Sequence, residues 1–332
     1  MVGQPGQGAT TVPSGGFRSR EELEAAVNKQ VGAAYANGSI LRYIQSWAAF
    51  KLFCEVRNLP VELPASPHLL AMFLADQSLR GRKPSTVKGD LAGVAWAHKI
   101  RGHPDPSNHF LLKKQLQGMT KSGDPIKQMK PLTWDLLKRV LSELKVEFSG
   151  YMLLLLRAVY LTAYAASLRI SEFAKTPGST HTLLLDNVSF SYEDKREGMI
   201  LTLDSYKHSA RPARLVVPAS RSEDACPVRA VKAFLKVRPK KEGPLFLKED
   251  GKPISRDLVA SSLKKCVSKC GLDPELFNTH SFRAGRTTDL VDWGTSDAVI
   301  RESGRWGSNA FLNYVRFDVF HLPGGGDGEK EF

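Results

Sequence analysis

The sequence predicts a mainly α-helical protein of two domains, with one small antiparallel sheet confined to the second. Three observations lead there. From Ser39 to Met119 the apolar residues recur at helical spacing. A basic stretch carrying Gly123 and Pro125, Lys121 to Lys130, interrupts that pattern. Beyond it, three short β-like runs, Leu183–Phe190, Met199–Leu203 and Arg214–Pro218, sit among otherwise helical segments and are separated by polar turns. A chain of 332 residues with 42% hydrophobic side chains has room for two cores.

Taken in order, residues 1–18 are rich in Gly, Gln, Thr and Pro and lack an apolar period, so disorder is expected there. Ser19-Arg20-Glu21-Glu22 is a capping box and starts a helix. Ile40, Tyr43, Ile44, Trp47, Phe50, Leu52, Phe53 and Val56 outline an amphipathic helix, which Pro60 and Pro64 stop. Ser66-Pro67 caps the next, through Leu69, Leu70, Phe73, Leu74 and Leu79. Lys83-Pro84-Ser85-Thr86 opens another, with Val87, Leu91, Val94, Ala95 and His98 on one face. A further helix follows Asp105-Pro106, from Leu111 to Met119. Residues 19–120 therefore read as an all-α bundle of four or five helices, and 121–131 as a basic linker.

The second domain is expected over 132–316, its first helix opening at Leu132-Thr133-Trp134-Asp135. Tyr151 to Ala165 is a strongly apolar, buried helix leading into Ser167-Leu168-Arg169-Ile170-Ser171-Glu172-Phe173. After the three β-like runs the pattern is helical from Cys226-Pro227 to Val237 and from Ser255 to Cys270. Shorter helices are expected at Phe282–Asp292, Asp297–Glu302 and Ala310–Tyr314. The tail, 317–332, holds an apolar cluster of Phe317, Val319, Phe320 and Leu322. That cluster can either dock on a neighbouring protomer or fold back on its own domain.

Charge narrows the partner. The formal net charge is +13, and Arg80 to Lys130 holds eleven Lys/Arg against three Asp/Glu. Such a concentration exceeds what solvated helix faces require and suits a polyanion. Candidate phosphate contacts are Lys83, Lys88, Lys113 and Lys114 on the first domain, with Arg211 and Lys264 on the second. Their contacts would be salt-dependent and blind to base sequence. The four cysteines (Cys54, Cys226, Cys266, Cys270) form neither a Cys-x-x-Cys pair nor a zinc-finger set, and read as reduced thiols of a cytosolic or nuclear protein. The longest apolar run, Tyr151 to Ala166, is broken by Arg157 and is too short to span a bilayer. No signal peptide is visible, and no carboxylate cluster suggests a metal.

Asn278 to Arg316 is chemically dense. His280-Ser281-Phe282-Arg283, Gly304-Arg305-Trp306 and Asn313-Tyr314-Val315-Arg316 bring cations, an imidazole, an indole and a phenol into one segment. The set suits holding a phosphate while a tyrosine attacks it. Each residue also has a plainer reading. Arg169, at the end of a buried run, needs an anion, and Glu172 supplies one if a phosphate does not. Lys207 lies between β-like runs, where lysines are ordinarily solvated. His280 on a first turn is often a cap, and Tyr314 among Phe311, Leu312 and Val315 reads alone as core.

The ordered series is what distinguishes these readings. An apolar helix followed by Arg169-Ile170-Ser171-Glu172, Lys207 in a hairpin, His280-x-x-Arg283, Gly304, and Tyr314 ten residues past that glycine resembles the tyrosine recombinase family. Ser39-Ile40-Leu41-Arg42-Tyr43, Pro84-Ser85-Thr86-Val87 and Asp105-Pro106 extend the resemblance to that family's core-binding domain. It implies a SAM-like helical bundle and a DNA breaking-rejoining catalytic domain. It also implies roles. Arg169 and Arg283 bind the phosphate, Glu172 orients neighbours, Lys207 is the general acid, His280 assists proton transfer, and Tyr314 is the nucleophile. Reaction through a 3′-phosphotyrosyl link needs no metal and no nucleotide cofactor. The implied partners are double-stranded DNA and further copies of the chain, a dimer per site and a tetramer in the synaptic complex, with the two domains forming a clamp and no membrane involved. The location implied is nuclear in a eukaryote and cytoplasmic otherwise.

One stretch departs from the usual pattern. Most bacterial members have Gly-His at this place, and the Cre-like branch Gly-Trp; this chain has Gly304-Arg305-Trp306. The Gly-Arg-Trp version resembles recombinases of eukaryotic mobile elements, the DIRS/Ngaro retrotransposons and Cryptons. It leaves open which of Arg305 and Trp306 meets the phosphate. The favoured expectation is Arg305 near the site, with Trp306 packed against the nucleophile's helix. The competing functions are relaxation of one duplex by a type IB topoisomerase and a domesticated DNA-binding protein of the same fold.

Overall fold

The computed structural model describes residues 18–35, 37–123, 127–176, 182–193, 196–206 and 212–315. Lys207, Arg211, the segment 1–17 and the tail 317–332 lie outside the described residues. The chain divides into two compact units, Met1–Pro125 and Ile126–Phe332.

The first unit contains α1 (Arg20–Ala33), α2 (Asn37–Val56), α3 (Pro67–Leu79), α4 (Pro84–Lys99) and α5 (Phe110–Ser122). Local chemistry sets the helix starts. Ser19 Oγ accepts from the Glu22 amide at 3.1 Å, and Glu22 accepts the Ser19 amide in return. Such a cap is worth about 1 kcal/mol. Ser66 caps α3 through the Leu69 amide. The core is built by Phe50, Phe53, Cys54, Leu70, Phe73, Leu74, Val87, Leu91, Val94 and Leu112. Gly93 lets α2 and α4 approach closely, since a Cβ there would lie 2.5 Å from that of Ser46. His98 belongs to this core. Its Nε2 accepts the Ala65 amide at 2.9 Å, so Nδ1 carries the proton and donates to the Val94 carbonyl. Burial holds the imidazole neutral.

The second unit contains α6 (Trp134–Glu147), α7 (Gly150–Ala165), the single turn α8 (Ile170–Phe173), β1 (Val188–Glu193), β2 (Arg196–Leu203), β3 (Ala213–Pro218), α9 (Pro227–Val237), α10 (Arg256–Lys269), α11 (Ser281–Asp292) and α12 (Asp297–Gly304). The strands form one antiparallel sheet in the order β1-β2-β3. Its register pairs Phe190 with Met199 and Met199 with Val217. Met199, Leu201, Leu203, Leu215 and Val217 point inward, while Val216 faces out, as strand alternation requires. The most deeply buried helix is α7, from Leu155 to Tyr164. It is apolar on every side because α6, α9 and α11 all pack against it. Among the described residues no helix is long and apolar enough to cross a membrane. No group of three or more His, Cys, Asp or Glu among them has metal-binding geometry. Cys266 is buried, which pushes its thiol up to about 12, and Cys270 is half-buried.

Four expectations need correction. Residues expected to open the linker, Lys121 and Ser122, are the last turn of α5. Its other end is built into the second unit, where the Lys130 amide donates to the Leu276 carbonyl at 2.7 Å. Leu183 to Leu185 are not strand. Leu183 accepts the Leu245 amide and Leu184 bridges to Pro244, so a 3₁₀ turn at Leu185–Asn187 precedes β1. Ala310–Tyr314 is not α-helix but part of a 3₁₀ segment, Asn309–Asn313, with Tyr314 at its end.

Candidate active site

The site forms where α7 ends. Ser167 takes a left-handed conformation (φ 47°) that stops the helix, and its amide and that of Leu168 close onto the Tyr164 and Ala163 carbonyls. This turn leaves the carbonyls of Ala166 and Ser167 facing arginines from distant segments. The Ser167 carbonyl accepts from Arg283 Nη1 at 2.6 Å and from Arg305 Nη2 at 3.3 Å. That of Ala166 accepts from Arg305 Nη1 at 3.3 Å.

Arg169 follows at once, and Glu172 is the hub of the cluster. The Glu172 carboxylate is 1% exposed and receives Arg169 Nη1 at 3.0 Å and Arg305 Nη2 at 2.6 Å. It also accepts the Arg169 backbone amide at 2.9 Å. Both early readings of Arg169 are therefore compatible: Glu172 is its ion-pair partner, and the pair stands inside the candidate site. One carboxylate faces three guanidiniums, leaving an excess of two positive charges.

Arg283 is the most deeply placed of the three, with no exposed surface. It projects from the first turn of α11, and its other Nη donates to the Gly304 carbonyl. Its Nε has no hydrogen-bond partner among the described residues. Burial, reinforced by the Arg169 and Arg305 charges, pulls its pKa down to about 9, which leaves it cationic at neutral pH. Burial likewise lowers Arg305, against the pull of Glu172. A buried guanidinium in this state has much to gain from an anion.

The Gly304-Arg305-Trp306 stretch has a geometric explanation. Gly304 ends α12, and Arg305 turns left-handed (φ 55°), sending its side chain inward to Glu172. The indole of Trp306 then folds back over Gly304, where a Cβ would lie 1.7 Å from the ring. Trp306 also lies 4.1 Å from the Arg283 guanidinium carbon and 5.4 Å from the Tyr314 ring centre. The indole thus packs on both the buried cation and the phenol, which also face each other. Gly304→Ala is expected to displace the indole, costing about 1–3 kcal/mol of stability. Thermal unfolding followed by tryptophan fluorescence would check it.

Tyr314 is half-buried at the end of the 3₁₀ segment, its amide donating to the Phe311 carbonyl at 2.8 Å. Its ring is 5.7 Å from the Arg283 guanidinium carbon and 6.5 Å from the His280 ring. His280 is exposed at the start of α11, where its amide caps onto Asn278 Oδ1. The site thus brings together Arg169, Glu172, His280, Arg283, Arg305, Trp306 and Tyr314. Lys207 lies outside the described residues, but its neighbour Tyr206 is 6.0 Å from the Arg305 guanidinium carbon. Sequence reasoning missed the carbonyls of Ala166, Ser167 and Gly304, which carry no side-chain signal. It also missed Tyr206, which adjoins Lys207 in the motif.

On the first unit, Lys83, Lys88, Lys113 and Lys114 are all exposed. Some of the local positive charge is already paired, through Arg80 with Asp76, Arg82 with Asp90, and Lys99 with Asp105. On the second unit Lys264 pairs with Glu275 at 2.7 Å, and Arg211 lies outside the described residues.

No family model matches the chain. An integrase/recombinase XerD homolog of Selenomonas ruminantium is 22% identical over 319 residues, spanning 90% of this chain and 86% of that protein. Among solved structures, the Tn1549 transposon integrase in complex with transposon right end DNA superposes with a TM-score of 0.63 at 15% identity, over 90% of this chain and 95% of that one. A lambda integrase dimer bound to a core site gives 0.58 at 12% identity, over 91% and 79%. Fold, sequence similarity and the assembled cluster together relate this chain to the tyrosine recombinases and integrases, whose fold it has.

Proposed function

We propose that this chain is a site-specific DNA recombinase that cuts and rejoins DNA through a 3′-phosphotyrosyl intermediate, serving integration or excision of a mobile element. The observation that carries the reading is convergence. Arg169 and Glu172 lie more than a hundred residues before Arg283, Arg305 and Tyr314, yet they form one cluster beside the phenol. The DNA complexes of the transposon and lambda integrases support it.

In this reading Tyr314 Oη gives up its proton, with His280 assisting, and attacks a DNA phosphorus. The P–O5′ bond breaks, a tyrosyl–phosphate bond forms, and the leaving 5′-oxygen takes a proton from Lys207. The 5′-hydroxyl of another strand then reverses the step and frees the tyrosine. The pentacoordinate transition state gains a second negative charge, which the two excess positive charges around Glu172 match. Arg169 and Arg283 hold the non-bridging oxygens, and His280 assists proton transfer. Arg305 is shared between Glu172 and the carbonyls of Ala166, Ser167 and Ser303. Because the phosphotyrosine conserves the bond energy and the guanidiniums supply the charge, neither metal nor ATP is required.

The chain works as a dimer per site and a tetramer at synapsis. Core-binding residues 19–120 grip duplex DNA through Lys83, Lys88, Lys113 and Lys114, and catalytic residues 132–316 through Arg211 and Lys264. The resemblance of Gly304-Arg305-Trp306 to recombinases of DIRS/Ngaro and Crypton elements supports a eukaryotic mobile element as its source; the chain is nuclear in a eukaryotic host and cytoplasmic otherwise. A nicked suicide duplex carrying candidate element ends, incubated with the full chain and EDTA, is expected to trap a covalent adduct that survives denaturation. No adduct on any element end would overturn the reading. Relaxation of a single duplex without strand exchange would favour the topoisomerase alternative.

A further inference from the structure

A second buried cluster joins α7 to α11, the helices on either side of the site. Tyr164 stands on α7 five residues before Arg169, and Asp289 on α11 six residues after Arg283. Asp289 is 8% exposed. One of its oxygens, Oδ2, accepts from the Tyr164 hydroxyl and, at 2.7 Å, from the Trp134 amide that opens α6. The Trp134 and Tyr164 rings pack at 5.6 Å, and the Arg286 guanidinium carbon lies 5.7 Å from the Tyr164 ring centre. Burial pushes the Asp289 carboxyl up to about 6, against the pull of Tyr164, Trp134 and Arg286, with Asp135 also facing it.

The segment leading to Trp134 is seated along the same helix. The Leu132 amide donates to the Ser281 carbonyl at 2.9 Å, and the Leu132 carbonyl lies where a Cβ on Gly285 would be, 1.8 Å away. The partners on α11 are Ser281, Gly285 and Asp289, one turn apart. Tyr164 and Asp289 thus tie the exit of α7, which delivers Arg169, to the helix that delivers Arg283. A buried carboxylate is a costly way to hold helices together, and an apolar side chain would serve stability as well. Directional bonds fix a spacing that apolar packing leaves free.

We infer that Asp289 is a positioning residue which, through Tyr164 and the Trp134 amide, sets the separation of Arg169 and Arg283 for phosphoryl transfer; the inference rests on the recombinase reading. Single-turnover cleavage of the suicide duplex by the full chain tests it. Asp289→Ala should lower the cleavage rate on the order of 10²-fold, the scale of an ångström's misplacement, with DNA affinity unchanged. Asp289→Asn retains an acceptor for the Trp134 amide and should recover most of that loss. The decisive comparison is a cycle with Arg283→Lys. If Asp289 acts through the arginine, its loss should cost only a few-fold in the lysine background. The same 10²-fold loss in both backgrounds would overturn the inference. Should Asp289→Ala fail to fold, Tyr164→Phe, which removes one hydroxyl, runs through the same cycle. No adduct from the unaltered chain would overturn the recombinase reading itself, and an adduct with independent losses the positioning role alone.

Discussion

Tyr314→Phe is expected to abolish the covalent adduct while leaving DNA binding nearly intact. The reason lies in what the phenol does in the fold. Its ring packs on Trp306 and faces His280 and the Arg283 guanidinium. Phenylalanine preserves all of those contacts and removes only the hydroxyl. A ring without oxygen has no nucleophile, so the step is lost rather than slowed. Denaturing electrophoresis of a labelled suicide duplex reads the adduct, and a mobility shift on intact duplex reads binding. Adduct from the phenylalanine variant would remove Tyr314 from the reaction. Loss of binding and cleavage together would assign it a structural role instead.

Arg283→Lys and Arg283→Met should both lose about 10²–10³ in single-turnover rate, the scale of removing one donor from an oxyanion site. They differ in the fold. Arg283 bridges the Ser167 and Gly304 carbonyls from full burial. Lysine keeps the charge but is a single point and cannot serve both carbonyls and a phosphate. Methionine leaves both carbonyls without a donor, at about 1–3 kcal/mol for each buried group. The methionine variant should therefore also unfold at lower temperature. Arg169 variants should show the same rate loss with less effect on stability, because Arg169 bonds at the rim of the cluster and remains partly exposed. A melting curve beside each rate separates the two effects. A rate within tenfold of the unaltered chain for either arginine would remove it from the phosphate site.

Much of the fold was legible in residues that act on near neighbours. The Ser19 capping box, the apolar period along α2 to α5 and the alternation of β2 and β3 all depend on residues a few positions apart, and local rules describe them. Misreadings fell where a distant partner overrode a local preference. Leu183 and Leu184 look like strand, but their backbone groups are claimed by Leu245 and Pro244. Residues 127–131 look like free linker because nothing in their composition announces that Lys130 and Leu132 bond along the entry to α11 and its first turn. Tyr314 closes a 3₁₀ turn that follows the end of α12 at Gly304, where the Trp306 indole folds back over the glycine.

The candidate site divides the same way. Residue identities and order, from Arg169 to Tyr314, could be read along the chain and were enough to suggest the chemistry. Their charge states and distances could not. That one carboxylate serves two arginines, that Arg305 turns inward, and that Trp306 packs on both Arg283 and Tyr314 all follow from closing the chain on itself. Composition and spacing carry information about side chains a few positions away. The electrostatics of a buried cluster depend on which backbone carbonyls and charges arrive from more than a hundred residues off, and folding alone brings them together.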